Sequence, residues 1–200
     1  MKKDFWNSRY DRPEYAYGEK PNDFWAQWLM DKKPAKVLLP AEGEGRNAVY
    51  AAQKGWQVWA FDQSEAAQRK AHMLANQAGV ALQEFKVAEA QTYHPPITPQ
   101  VIGLFYVHLP PDFRADFHAS CVQWLAPGGY LVLEAFNPNQ LNMASGGLKV
   151  PAMLMKAAEL KEEFKGLIIE EAQELTVELD EGPYHQGNAA VVRVVARKPD

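Results

Sequence analysis

The chain has a single cysteine, Cys121, among 200 residues. That excludes an internal disulfide framework and fits a reducing compartment. Cys121 follows Phe113 and Phe117 and precedes Trp124 at helical spacing, so it reads as a buried core thiol. There is no Cys pair, no His-x-x-x-His and no clustered carboxylate loop. The usual metal patterns are therefore missing, and no metal is expected; Asp11/Glu14 and Glu170/Glu171 read as solvated acids. No apolar run approaches the roughly 20 residues of a membrane span. Met1-Lys2-Lys3-Asp4-Phe5-Trp6 lacks an apolar signal core. A cytoplasmic protein without membrane contact is expected. Net charge is −4 and no basic stripe alternates with aromatics, which disfavours nucleic acid as a partner. There is no Gly-Lys-Ser/Thr loop, no Gly-x-Ser-x-Gly elbow and no internal repeat.

What is present is ordinary globular usage, with 47% hydrophobic and 23% charged residues. The most informative stretch is 37–62. An apolar run, Val37 to Leu39, enters a small-residue turn, Ala41 to Gly45. A helical pattern follows with Ala48, Val49 and Ala52 on one face and Gly55 to stop it. A second apolar run, Val58 to Phe61, ends in Asp62, 17 residues past Gly45. This is a strand–turn–helix–strand unit closed by an acid, with spacing near that of nucleotide-binding βαβ units. Glycine lets backbone approach a ligand, and the terminal carboxylate can accept two ribose hydroxyls.

The Gly-x-Gly-x-x-Gly frame fails after Gly45, where Asn47 and Ala48 stand. That counts against a nicotinamide dinucleotide. Glu42 and Glu44 would repel phosphate. An acidic turn suits an adenosine cofactor that carries positive charge and no phosphate, and S-adenosylmethionine fits.

Four motifs appear in order: Gly-Glu-Gly-Arg-Asn-Ala-Val at 43–49, Phe-Asp-Gln-Ser at 61–64, Val-His-Leu-Pro at 107–110 and Leu-Ala-Pro-Gly-Gly at 125–129. The set resembles the class I S-adenosylmethionine-dependent methyltransferases. Trp6 to Tyr10, Tyr17 to Phe24 and Glu181 to Gly187 resemble the tellurite-resistance and thiopurine branch, and the resemblance covers nearly the whole chain. It implies a doubly wound α/β fold, a seven-stranded mostly parallel sheet with an antiparallel C-terminal hairpin. It also implies a single methyltransferase domain over 1–200, with 1–30 as an N-terminal aromatic cap. The chain departs from the pattern at Leu39, where an acid is usual, and at Ala41, where the first glycine is usual. Pro40 is similar to the thiopurine type. The methionine end of the cofactor is then gripped differently.

The alternation continues along the chain. Ser64 caps a helix to about Gln77, stopped by Gly79. Strands are expected at Leu82–Val87, Val101–Val107 and Tyr130–Phe136, with a helix opened by Pro110, Pro111 and Asp112. Leu175, Val177 and Leu179 alternate before a Gly/Pro turn and a strand at Ala190–Ala196. Asn137 to Val150, rich in Asn, Ser and Gly, reads as a mobile connection. A helix with Pro151 near its start and Gly166 near its end is expected after it.

Ligands of open α/β sheets lie at the carboxyl ends of the strands. This places Ala41, Glu42, Gly43 and Gly45 against the methionine part, and Asp62 with Gln63 at the ribose. By the resemblance, Glu89-Ala90 reads the adenine. Phe105 ends the fourth strand near the expected methyl position, with Tyr106 beside it; aromatic faces favour a sulfonium. His108 and His185 are the catalytic candidates, and Tyr17, Arg46 and Arg193 the substrate candidates. Methyl transfer is an in-line displacement in which alignment and exclusion of water matter most. A soft nucleophile, a thiol or a tellurium or selenium oxyanion, needs no strong base. The resemblance thus implies methyl transfer to a small-molecule acceptor by a monomer or homodimer. A non-catalytic S-adenosylmethionine-binding module in metalloid response is the alternative. Gln186 stands where tellurite-type relatives tend to be basic, which argues against tellurite itself. Phe5, Trp6, Tyr10, Tyr15, Tyr17, Phe24, Trp25 and Trp28 crowd the N-terminal segment, as core packing, a drying lid or a dimer patch.

Overall fold

A computed structural model of the protein describes residues 3–200; Met1 and Lys2, the first two residues of the expected cap, lie outside them. The chain divides into two compact units, one of residues 1–96 with 181–183, the other of 97–180 with 184–200. The strands form a seven-stranded sheet in the order β3-β2-β1-β4-β5-β7-β6. Among the described residues no helix is long and apolar enough to cross a membrane.

The first unit begins with α1 (Lys3–Tyr10) and α2 (Asp23–Leu29). Asn22 starts α2 by accepting the Trp25 amide. Trp25 is fully buried and stacks on Trp28 at 5.7 Å, so this part of the aromatic crowd is core. The parallel strands β1 (Lys36–Pro40), β2 (Gln57–Asp62) and β3 (Glu84–Val87) follow. Val37, Leu38 and Leu39 are all fully buried, the continuous apolar run of a strand covered on both faces. Between the strands lie α3 (Arg46–Gln53) and α4 (Glu65–Gln77). The Ser64 hydroxyl caps α4 by accepting the Ala67 amide at 3.1 Å. β3 starts at Glu84 and not at Leu82, because Gln83 bonds Val58 through both backbone and side chain just outside the ladder.

The second unit holds β4 (Val101–Phe105), α5 (Pro111–Trp124), β5 (Tyr130–Phe136), α6 (Ala157–Glu163), β6 (Ile168–Asp180) and β7 (Gln186–Arg197). β5 runs parallel to β4, while β7 is antiparallel to both β5 and β6. Cys121 is fully buried on α5, and burial pushes its thiol up, consistent with an inert core group.

Two expectations are corrected here. Pro151 opens only a short 3-10 turn, Pro151–Met153, and α6 begins at Ala157. Met153, Leu154 and Met155 are buried, and the Met155 amide donates to the Phe136 carbonyl at 3.0 Å. Bonding to β5 holds the backbone extended where Pro151 was expected to open a helix. The 137–150 segment, expected as a mobile connection, is anchored. Asn137 Nδ2 donates to the Val191 carbonyl at 2.8 Å, and Gln140 Oε1 accepts the Ala190 amide at 2.8 Å. Both side chains are buried, so their polarity serves the fold and does not mark solvent.

Candidate functional site

In the first unit, the 41–45 turn leaves β1 with three residues in the left-handed region, Ala41 (φ 49°), Gly43 (φ 65°) and Gly45 (φ 89°). Ala41 carries a side chain there, a strain that persists only where the surroundings enforce it. The Glu42 amide donates to the Phe61 carbonyl at 3.1 Å and ties the turn to β2. The two glycines are needed for different reasons. A Cβ on Gly45 would lie 2.6 Å from the Ala71 Cβ on α4, so this glycine serves close helix packing. A Cβ on Gly43 would meet the Tyr10 hydroxyl at 2.9 Å, so α1 closes over the turn.

Asp62 is buried at the end of β2. Its Oδ2 accepts the Gly43 amide at 3.0 Å and its Oδ1 the Ser64 amide at 2.9 Å. Each oxygen retains a second lone pair. Burial pushes this carboxyl up to about 6, against the pull of those amides. Gln63 beside it is half-buried, as is Ala90, while Glu89 is exposed. The Glu89 carbonyl accepts the Thr92 and Tyr93 amides, and the Tyr93 ring stacks on Phe61 at 4.0 Å.

The acids of the turn divide. Glu44 is buried, ion-paired with Lys70 and accepting the Ala16 amide at 2.7 Å. Its charge is matched inside the protein, which corrects the view of the turn as uniformly acidic. Lys70 also donates to the Arg12 and Glu14 carbonyls and lies 4.5 Å from the Tyr15 ring centroid. Glu42 has a different environment. It is half-buried and accepts the Ala48 amide at 2.7 Å, capping α3, whose N-cap residue Gly45 has no side chain to do so. Desolvation pushes its carboxyl up to about 7, over the opposing effects of that amide and Arg46. Neither Glu42 nor Asp62 has an ion-pair partner among the described residues.

Arg46, expected to meet substrate, is buried and engaged. It pairs with Glu181 at 2.9 Å and donates to the Tyr17 and Lys20 carbonyls at 3.2 and 3.5 Å. It positions the 17–20 segment. Tyr17 itself is half-buried; its hydroxyl accepts from Arg9 at 3.4 Å, and desolvation pushes its pKa up.

In the second unit, Phe105 is buried at the end of β4 and the next residue, Tyr106, adopts φ 56°. The Tyr106 hydroxyl donates to Glu134 Oε1 at 2.9 Å, and its amide donates to the Glu134 carbonyl at 2.8 Å. Glu134 is almost fully buried, and its other oxygen accepts Arg193 Nε at 2.6 Å. Arg193 is therefore a structural counterion, a correction to the expected oxyanion fork. Tyr106 was expected beside the methyl position, but Glu134 was not among the expected site residues. A single acid inside the apolar run Tyr130–Phe136 was the signal, since it must find a partner.

His108 is corrected as a base. Nδ1 lies 2.9 Å from the Met153 carbonyl, and Nε2 accepts the Phe136 amide at 3.3 Å. The first contact requires a proton on Nδ1 and the second requires a bare Nε2. The ring is one neutral tautomer with both nitrogens engaged, stacked on Phe136 at 5.7 Å. Burial pushes its pKa down to about 4. His185 is buried with its ring edge-on to Tyr106 at 4.7 Å and Phe136 at 5.1 Å. It forms a bridge with Gly146. Tyr106, His108 and His185 thus gather around Phe136. Among the described residues no group of His, Cys, Asp and Glu side chains is placed to hold a metal ion.

Residues 37–129 match the family described as "Methyltransferase domain". No curated protein matches the chain. Three of the similar solved structures illustrate the likeness. TehB from Haemophilus influenzae is 17% identical with a TM-score of 0.74, over 98% of this chain and 66% of that one, so the chain spans just under two thirds of it. The N-methyltransferase NodS from Bradyrhizobium japonicum WM9, in complex with S-adenosyl-L-homocysteine, is 12% identical with a TM-score of 0.75, over 99% and 98% of the two chains. A protein of echinomycin biosynthesis, associated with conversion of a disulfide bond into a thioacetal group, is 15% identical with a TM-score of 0.74, over 96% and 88%. With its parallel strands, antiparallel closing hairpin and glycine turn after β1, the chain has the class I S-adenosylmethionine-dependent methyltransferase fold.

Proposed function

We propose that the protein is an enzyme that transfers a methyl group from S-adenosylmethionine to a small-molecule acceptor, a soft nucleophile of the thiol or tellurium/selenium oxyanion class. The observation that carries the reading is the charge state of the 41–45 turn. Glu44 and Arg46 are matched by Lys70 and Glu181, which leaves Glu42 and Asp62 beside Gly43 without counterions. Two such carboxyls suit a ligand with cationic centres and no phosphate. The cofactor supplies a methyl carbon activated by its sulfonium. The left-handed backbone at Ala41 and Gly43 lets the chain approach the methionine part. Asp62 holds the ribose through its remaining lone pairs with Gln63 beside it, and Glu89-Ala90 meets the adenine.

The soft-nucleophile assignment rests on His108. A ring with both nitrogens engaged does not remove a proton at neutral pH, so the chemistry relies on alignment. The sulfur chemistry associated with the echinomycin protein of the same fold agrees with this reading. Calorimetric titration with S-adenosylhomocysteine and with NAD tests the cofactor; NAD binding without a response to S-adenosylhomocysteine would overturn it. A screen of tellurite, selenite, simple thiols and thiopurines then tests transfer. Cofactor binding with no methyl loss to any acceptor would leave a binding module in place of an enzyme.

A further inference from the structure

The tip of the β6–β7 hairpin, residues 181–183, belongs to the first unit, while the strands on either side of it belong to the second. It is seated there backbone to backbone. Gly182 adopts φ 69°, and a Cβ on it would lie 2.3 Å from the Gly18 nitrogen and 2.9 Å from the Ala16 carbonyl oxygen. Side chains grip the same place. Glu181 is buried, with Oε2 accepting Arg46 Nη2 at 2.9 Å and Oε1 accepting Asn22 Nδ2 at 3.1 Å. Arg46 Nη1 donates to the Tyr17 and Lys20 carbonyls. The Asn22 amide donates to Asn47 Oδ1 at 2.8 Å, and the Ala16 amide to Glu44 at 2.7 Å. Glu44, Arg46 and Asn47, which follow closely on Gly43, thus each bond main-chain groups of residues 16–22.

This segment continues the cover of the 41–45 turn. Tyr10 reaches the place that a Cβ of Gly43 would occupy, and the Tyr17 ring stands edge-on to Tyr10 at 6.4 Å. Gly43 is itself bonded to Asp62. Resting on the cofactor reading above, we infer that Glu181 is a positioning residue for cofactor exchange. It acts through Arg46 and Asn22 to latch residues 16–22 over the turn, and so sets how fast the cofactor enters and how long the spent cofactor stays. A buried ion pair suits a latch, because each partner is left uncompensated once the two separate, which makes opening rare. The bonds of the pair described above run to the cover and to α2. Their energy is common to the occupied and the empty turn and cancels from the equilibrium affinity. It does not cancel from the barrier, because the cover must part from Arg46 before a ligand passes.

The test is stopped-flow binding of S-adenosylhomocysteine by the full chain, followed by tryptophan fluorescence, with Trp6 stacked on Tyr10 at 5.4 Å as reporter. Glu181→Gln keeps an oxygen for Asn22 but withdraws the charge from Arg46. It should speed association and release together by about ten- to hundredfold, with Kd held within about threefold. Arg46→Met/Glu181→Leu separates the latch from fold stability, since two apolar groups replace the pair and no charge is left uncompensated. It should resist urea about as well as the wild type and still exchange fast, and it decides the matter alone if Glu181→Gln does not fold. Unchanged rates in these variants overturn the inference. So does a release rate that rises alone with a matching loss of affinity, which marks an ordinary binding defect. So does a return to wild-type rates in the double variant, which marks a purely structural pair. All three leave the cofactor reading intact. Absence of S-adenosylhomocysteine binding by the wild type overturns the cofactor reading itself, and this one with it.

Discussion

Two strand ends carry a non-glycine residue in the left-handed region, Ala41 after β1 and Tyr106 after β4. They are held in opposite ways. After Ala41 the turn is built on two glycines, and the polar work falls to backbone amides that meet Glu42 and Asp62. Around Tyr106 everything is large, and the polar work falls to a side-chain chain of Tyr106, Glu134 and Arg193. The first arrangement leaves two carboxyls unmatched; the second matches its one carboxyl with a guanidinium. A region with unmatched charge is prepared for a ligand. A region with matched charge is prepared to keep its own shape.

The strongest way to break this contrast is to unmatch the second region. Arg193→Met takes the guanidinium away from Glu134, which is nearly fully buried beside the Tyr106 hydroxyl. Removing one partner of a buried pair costs about 3–5 kcal/mol, which for a chain of this size lowers Tm by roughly 10 °C. The double variant Glu134→Leu/Arg193→Met should recover most of the loss, since two apolar groups replace the pair. Thermal or urea unfolding measures both. A single variant within 1 kcal/mol of wild type would show the pair to be incidental.

A smaller effect is expected from the first region, where space is the constraint. Gly45→Ala combines φ 89° with a Cβ 2.6 Å from that of Ala71. Strain and overpacking together should cost about 2–4 kcal/mol. Gly79→Ala shares the positive φ but meets nothing within 4 Å, so it isolates the strain at about 1 kcal/mol. Urea unfolding of both variants separates the two contributions. Equal losses would mean that helix packing places no demand on Gly45.

The same contrast explains what was legible in the sequence. β1, α3, β2 and the Ser64 cap were readable because each is set by local pattern, an apolar run, a turn glycine or a capping hydroxyl. β5 ran from Tyr130 to Phe136 as expected. The start of α6 was not readable, because Met153-Leu154-Met155 looks the same whether it faces a core as helix or as extended chain. The acids of the turn were visible as residue types, yet their partners were not. Lys70 lies 26 residues from Glu44, and Glu181 lies 135 from Arg46. Pairings at that range are made by topology and leave no local trace. His108 failed for the same reason, since the Met153 carbonyl that fixes its tautomer is 45 residues away.

Unmatched carboxyls also leave a mark on stability in the absence of ligand. Glu42 is pushed up to about 7 and Asp62 to about 6, both above the values of an unfolded chain. The folded protein then binds more protons than the unfolded one between about pH 4 and 7. Their contribution is fully present below that window and is lost as pH rises through it. Glu42→Gln should therefore flatten the fall in stability between pH 5 and 8 and raise Tm by a few degrees at pH 8. Melting curves across that range decide it, and an unchanged slope would place the titration elsewhere.

The smallest expected effect sharpens the contrast from the other side. His108 is held below the unfolded histidine value, at about 4, by burial and by its place beside His185 and Arg114. The sign is opposite to that of the turn acids. Its contribution is present above about pH 6.5 and is lost as pH falls toward 4, because the unfolded chain takes up a proton that the folded ring refuses. The Phe136 amide enforces this, since a proton on Nε2 would face an N–H donor. In a nitrogen-15 NMR titration the His108 ring should keep a single neutral tautomer, protonated on Nδ1, from pH 8 down to about pH 5. Above that pH, any inflection in methyl transfer should survive in His108→Asn. A His108 resonance that titrates near pH 6.5 would free Nε2 for proton transfer. The second region would then be a reactive one, and the division between a ligand-ready turn and a self-matched cluster would fail at its central residue.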